Sequence, residues 1–114
     1  MSDCLFCGIV DGKIKANVVY RDDTIVAFKD IAPKAPVHIL IIPRKHLISV
    51  ADIAEADRAL IGQIFQVAAK LAREQGIAES GYRVVVNSGA DAGQSVFHLH
   101  YHLLGGRQMS WPPG

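Results

Sequence analysis

The chain has no apolar run approaching the ~18 residues that a membrane-spanning helix needs. It has no basic segment leading into an apolar stretch at its start, so no secretory leader is read and a cytoplasmic location is expected. Cysteine is scarce: Cys4 and Cys7 are too few and too close for a disulfide framework. Neither sign of charge prevails. Twelve Lys and Arg stand against eleven Asp and Glu, and a net charge of +1 gives no electrostatic case for nucleic acid or a membrane surface. Repeats, linkers and low-complexity runs are also missing. What remains is 114 residues of globular composition, half of them hydrophobic and a fifth charged. That suits one domain over residues 1–114, with residues 105–114 as a C-terminal tail.

What is present is a stretch of histidines, His98-Leu99-His100-Tyr101-His102-Leu103-Leu104, holding three of the five in the chain at every second position. Period two is the strand signature, and residues two apart on a strand share a face at roughly 6.5–7 Å. One face then carries three imidazoles and the other is apolar. The imidazole face has three readings: a solvated surface, a metal site of the His-x-His kind, or phosphoryl chemistry with a neutral imidazole as nucleophile. Three histidines in register argue against the first, and the other two stay open on this stretch alone.

The rest of the chain reads in order. Ser2 or Asp3 caps a short helix over Cys4–Val10, ended at Asp11-Gly12. Strands over 16–21 and 24–29 form a hairpin about Asp22-Asp23. Val37–Ile42, bounded by Pro36 and Pro43, is a central strand buried on both faces. Its His38, taken alone, reads equally well as a core histidine bonded to a carbonyl. Asp52-Ile53-Ala54-Glu55 has the form of a capping box. After it, Leu60, Ile61, Ile64, Val67, Ala68 and Leu71 recur at helical spacing, with Gly76 as the stop. Strand 82–87 follows. A loop of small polar residues, 88–95, then places Gly93, Gln94 and Ser95 just before the histidines, where backbone amides suit an anion. Alone, that loop is an ordinary hairpin connection. Five strands and one long helix with short connections give an α+β domain: a mostly antiparallel sheet, the long helix and a short N-terminal helix.

The histidine stretch, with its two apolar residues after the third imidazole, resembles the signature of the histidine triad (HIT) family. The resemblance extends to Ala35–Pro43, to Gly93-Gln94-Ser95-Val96 and to the ending 103–114, which is similar to the Hint branch, the purine nucleoside phosphoramidases. It implies a HIT-like homodimer whose sheets join, and a purine nucleotide partner, AMP or GMP derivatives. The implied reaction is hydrolysis of phosphorus–nitrogen bonds through a nucleotidyl-histidine on His100. His102 and His38 would orient His100 and support the phosphate. Asn87, Gly93, Gln94 and Ser95 would contact the phosphate or the leaving group. Asp30 would bind the ribose hydroxyls, and Phe28 and Ile31 would line the base site. A dinucleoside polyphosphate hydrolase, or a nucleotide-binding scaffold, is the competing function.

Catalysis of this kind needs a nucleophile, donors to the phosphate oxygens and a proton for the amine, and no metal cofactor. Cys4-x-x-Cys7 nevertheless has metal-ligand spacing, and His46 and His98 complete a four-ligand set for structural zinc. The plain alternative is a pair of half-buried thiols.

Overall fold

The computed structural model describes residues 4–114. Five strands, β1 (Val18–Arg21), β2 (Ile25–Lys29), β3 (Val37–Pro43), β4 (Tyr82–Val86) and β5 (Tyr101–Gly105), form one sheet in the order β1-β2-β3-β5-β4. Every neighbouring pair is antiparallel. In the β1–β2 turn the Asp22 carboxylate accepts from the Thr24 and Ile25 amides, each at 2.8 Å.

β3 lies at the centre and is buried from His38 onward, as an apolar run between prolines requires. Its alternation sorts two cores. Ile39 and Ile41 join Ile25, Ala27, Tyr101 and Leu103 under Ile64, Ala68 and Leu71 of the long helix α2 (Arg58–Glu74). Leu40 and Ile42 join Val26 and Phe28 under Phe6, Ile9 and Val10 of the short helix α1 (Leu5–Val10). Each Val, Leu, Ile or Phe among them contributes about 1.5–3 kcal/mol when fully buried. His38, two residues before Leu40, therefore points to the α1 face. So does His102, which stands opposite Leu40 in the β3–β5 register.

Three local readings change. The expected caps Ser2 and Asp3 lie outside the described residues. Cys4 occupies the N-cap of α1, and its Sγ accepts from the Cys7 amide at 3.3 Å. Asp52–Glu55 does not open α2. The Asp52 carboxylate takes the Ile48 amide at 3.0 Å, and residues 50–52 and 55–57 make single 3₁₀ turns before the helix starts at Arg58. Asp57 holds this approach in place. Buried, it accepts from the Ala54 amide at 2.9 Å and from the Lys45 ammonium at 2.7 Å. Third, the tail begins one residue later than expected, because Gly105 belongs to β5. A Cβ there would stand 2.5 Å from Ile77 Cδ1, so the loop after α2 packs closely over this residue and a side chain here would make Ile77 shift. Gly76 ends α2 as expected, with φ at +75°. Among the described residues no helix is long and apolar enough to cross a membrane.

Candidate functional site

The three histidines of the stretch do not share one strand. β5 starts at Tyr101, and only His102 lies in the ladder. The Leu99 amide donates to the Leu47 carbonyl at 2.6 Å instead of to a strand partner, so the chain leaves the sheet there to meet the loop after β3. The alternation survives without the ladder. Leu99, Tyr101 and Leu103 all sit in the α2-side core. The imidazoles are left to the other face and divide between two places: His98 goes to a sulfur cluster, and His100 and His102 go to a cleft.

Hydrogen bonds settle the tautomers around the cleft. His38 Nδ1 accepts from the Lys34 amide at 3.0 Å, so in the neutral ring the proton is on Nε2. That Nε2–H donates to His102 Nδ1 at 2.9 Å. His102 therefore carries its own proton on Nε2. Among the described residues this Nε2 is buried with no protein partner. His100 is fixed the opposite way: its Nδ1–H donates to the His98 carbonyl at 2.7 Å, so in the neutral ring the lone pair is on Nε2. The rings of His100 and His102 are 5.0 Å apart.

Charge follows burial. Desolvation, with His100 and His38 alongside, pushes His102 down from 6.5 to about 4. Desolvation also lowers His38, against the opposing pull of Asp30. Both rings are then neutral near pH 7. The 3.4 Å contact from His38 Nε2 to Asp30 Oδ2 is accordingly a long second acceptor for one proton and not an ion pair. Asp30, His38 and His102 converge closely enough to hold a metal, but the 2.9 Å bond already occupies the nitrogens that would turn to it.

The cleft has a volume of about 300 Å³, at the low end for small-ligand sites. Leu5, Phe6, Ile9, Phe28 and Leu40 wall one part of it, and Asp30, Ser95, His100 and His102 line the polar part. Of the expected base-site residues, Phe28 is buried in the wall, whereas Ile31 stands fully exposed at the rim. The sequence reading missed the contribution of α1. Its signal was Phe6 and Ile9, three apart on an apolar helix, and Leu40, two residues from His38 on the same strand face.

The loop residues also divide. Ser95 is exposed and lines the cleft beside His100. Gly93 turns the loop with φ at +84°. Asn87 comes one step past the last β4–β5 rung, Val86 opposite Tyr101, on the face that His102 shares. Gln94 departs from expectation. Its amide donates to the Ile48 and Val96 carbonyls at 2.7 and 3.0 Å, and its Oε1 accepts from the Gly89 amide at 2.9 Å. Both side-chain protons are spent bracing the loop, so the Gln94 side chain has no donor left for a phosphate.

The second cluster lies behind His100. Cys4 Sγ, Cys7 Sγ, His46 Nδ1 and His98 Nδ1 all fall within 4.8 Å of one another. His98 Nε2–H donates to the Pro43 carbonyl at 2.8 Å, which leaves Nδ1 unprotonated and facing the sulfurs. Sulfur–nitrogen separations are 3.4, 3.6 and 3.2 Å, and the two imidazole nitrogens are 3.2 Å apart. A tetrahedral zinc ion with ordinary bond lengths requires about 3.5 Å and 3.3 Å for these pairs. Two thiols and two imidazoles at this spacing fit such an ion.

The HIT domain family matches residues 11–109 of the chain. A HIT-like protein of Synechocystis sp. is 47% identical over 112 residues, covering 98% of this chain and 97% of the relative. Among solved structures, a HIT family hydrolase from Legionella pneumophila superposes with a TM-score of 0.97 at 52% identity, over 98% of this chain and 100% of that one. A zinc-bound histidine triad family protein from Mycobacterium smegmatis gives 0.80 at 32% identity, over 93% and 76%. With its fold, its histidines and these likenesses in agreement, the chain belongs to the HIT domain family.

Proposed function

We propose that this chain hydrolyses the phosphorus–nitrogen bond of purine nucleoside phosphoramidates, AMP joined to an amine being the type substrate, as the Hint branch does. The observation that carries the reading is the pair of opposite tautomers in the cleft. In its neutral ring His100 presents a lone pair on Nε2, and His102 presents an N–H without a partner among the described residues. Leaving a buried donor unpaired costs about 1–3 kcal/mol, and a phosphate oxygen is an acceptor suited to it. The Legionella relative is itself described as a hydrolase.

In this reading the base lies against the apolar wall to which Phe6 and Phe28 belong, and Asp30 accepts from the ribose hydroxyls. His100 Nε2 attacks the α-phosphorus. As the new nitrogen–phosphorus bond forms, the bond to the amine breaks, and the amine leaves with one proton from water at the open rim. His100 is now a nucleotidyl-imidazolium whose Nδ1–H stays on the His98 carbonyl. His102 Nε2–H, Ser95 and Asn87 bond the non-bridging oxygens and disperse their charge. Water then adds to phosphorus, the bond to Nε2 breaks, and AMP leaves as the water's proton returns to solvent.

Cys4, Cys7, His46 and His98 would hold zinc in a closed four-ligand site, which supplies structure and no open position for substrate. The Mycobacterium relative, described as zinc-bound, supports that assignment. A homodimer would form along the edge strand β4, where Tyr82 is 40% exposed and where Phe65 of α2, packed on Tyr101 opposite Val86, is 50% exposed. The test of the reaction is steady-state hydrolysis of adenosine phosphoramidate beside diadenosine polyphosphate. Preference for the phosphoramidate is expected, and the reverse preference would replace this reading with a dinucleoside polyphosphate hydrolase.

A further inference from the structure

α1 is six residues long, well below the ~12–15 residues at which an isolated helix begins to hold its shape in water. Its position therefore depends on its ties to the rest of the fold. One tie is apolar: Phe6, Ile9 and Val10 pack on the sheet. The other runs through Cys4 and Cys7, which flank Phe6 in sequence and bring their sulfurs to His46 and His98. Phe6 in turn meets the ring of His100 edge-on at 5.1 Å, with Phe28 at 5.4 Å on another side.

A second line joins the same two places. His98 is held at both ring nitrogens, Nε2 on the Pro43 carbonyl and Nδ1 among the sulfurs and His46. Its main-chain carbonyl is the acceptor that fixes His100 Nδ1–H at 2.7 Å. The cluster thus reaches His100 by two separate routes, through the Phe6 ring and through the His98 carbonyl. An ion needed only to keep the chain folded would require neither contact.

We propose that the Cys4–Cys7–His46–His98 cluster, when it holds a metal ion, is a positioning device for His100, pinning Phe6 against its ring and fixing the carbonyl that selects its tautomer. The inference rests on reading His100 as the nucleophile and the cluster as a metal site. Cys4, Cys7 and His46 act through other residues and touch no substrate. Loss of the metal frees α1 and the His98 carbonyl together. His100 then loses its fixed tautomer while the sheet and α2, which carry their own core, stay folded.

The test is nuclear magnetic resonance on isotope-labelled protein in three states: loaded with one equivalent of zinc, stripped of metal, and the Cys4→Ser/Cys7→Ser double variant. Nitrogen–proton correlations of the His100 ring report the tautomer directly, with or without nucleotide. The loaded protein should show one tautomer with a protected Nδ1–H. The other two states should show mixed tautomers with α2 and β3 amide signals in place, and kcat on adenosine phosphoramidate at least about tenfold lower with KM moving less. Cadmium, which binds thiolates in the same geometry, should restore both readouts in the stripped parent but not in the double variant. An unchanged His100 ring on metal removal would overturn the proposal, and so would collapse of the whole amide spectrum, which would make the ion a global scaffold. Metal control of the His100 tautomer in a protein that cleaves no phosphoramidate would uphold the proposal and sink the proposed reaction instead.

Discussion

His38 Nε2 donates to His102 Nδ1 across 2.9 Å, and that bond decides which nitrogen of His102 faces the cleft as an N–H. The Lys34 amide on His38 Nδ1 sets the direction of the whole chain of donors. His38→Ala removes the bond and lets His102 take either tautomer. Turnover should fall about 10–100-fold, the usual cost of losing an orienting partner. His38→Gln keeps an N–H near the same place and should recover most of it. Equal loss in both variants would show that His38 does something other than orient His102.

The same burial makes stability depend on pH. The His102 pKa lies near 4 in the fold against an ordinary 6.5. Between those values the unfolded chain binds a proton at this position that the folded chain does not, so stability falls as pH falls. His38 acts in the same direction. Thermal melts of the parent should show a falling midpoint from pH 6.5 toward pH 4, and His102→Gln should flatten that slope. A slope unaffected by the substitution would remove His102 as its source.

Asp30 Oδ1 accepts from the Ala32 amide at 2.8 Å, so the carboxylate is held in a fixed orientation at the cleft rim. Ribose hydroxyls bonding to it would each form a charge-assisted bond, worth about 1.5–3 kcal/mol. Asp30→Ala should weaken AMP binding about tenfold or more in calorimetry. It should leave the binding of 2′,3′-dideoxy-AMP, which has neither hydroxyl, nearly unchanged. Equal weakening of both ligands would show damage to the loop and no ribose contact.

The edge of β4 makes a separate prediction. Phe65 is half-exposed on α2 and its ring packs on Tyr101 at 5.5 Å, beside the free strand. The parent should sediment as a dimer at micromolar concentration and Phe65→Glu as a monomer. A parent that sediments only as monomer would refute the joined sheets.

The sequence carried the fold wherever one periodicity ran long enough to outweigh local alternatives. The strand expected over Val37–Ile42, which the structure extends by Pro43, and the apolar stripe of α2 are such cases. It carried the facing of the histidines too, because Leu99, Tyr101 and Leu103 had to be buried. It did not carry the end of the ladder at Tyr101, which depends on Leu47, a residue 52 positions from Leu99 in the chain. Asp52 was misread as a helix cap, and the commitment of the Gln94 side chain to the loop went unseen, for a related reason. Both have the residue type that caps a helix or holds an anion, and both spend their bonds on nearby backbone, Asp52 on the Ile48 amide and Gln94 on the Ile48 carbonyl. The part of α1 in the cleft was missed because the pair Phe6 and Ile9 is the whole of its periodic signal, and a six-residue helix has no further turn to reinforce it.

The central claim is that His100 Nε2 makes the covalent bond. Rapid quenching of the enzyme with adenosine phosphoramidate, followed by peptide mapping, tests it most directly. An adenylyl group on the peptide's His100 is predicted, together with loss of more than ~100-fold in turnover in His100→Ala, beyond what a lost acid or base accounts for. An adduct on His98 or His102, or near-parental turnover in His100→Ala, would contradict the account.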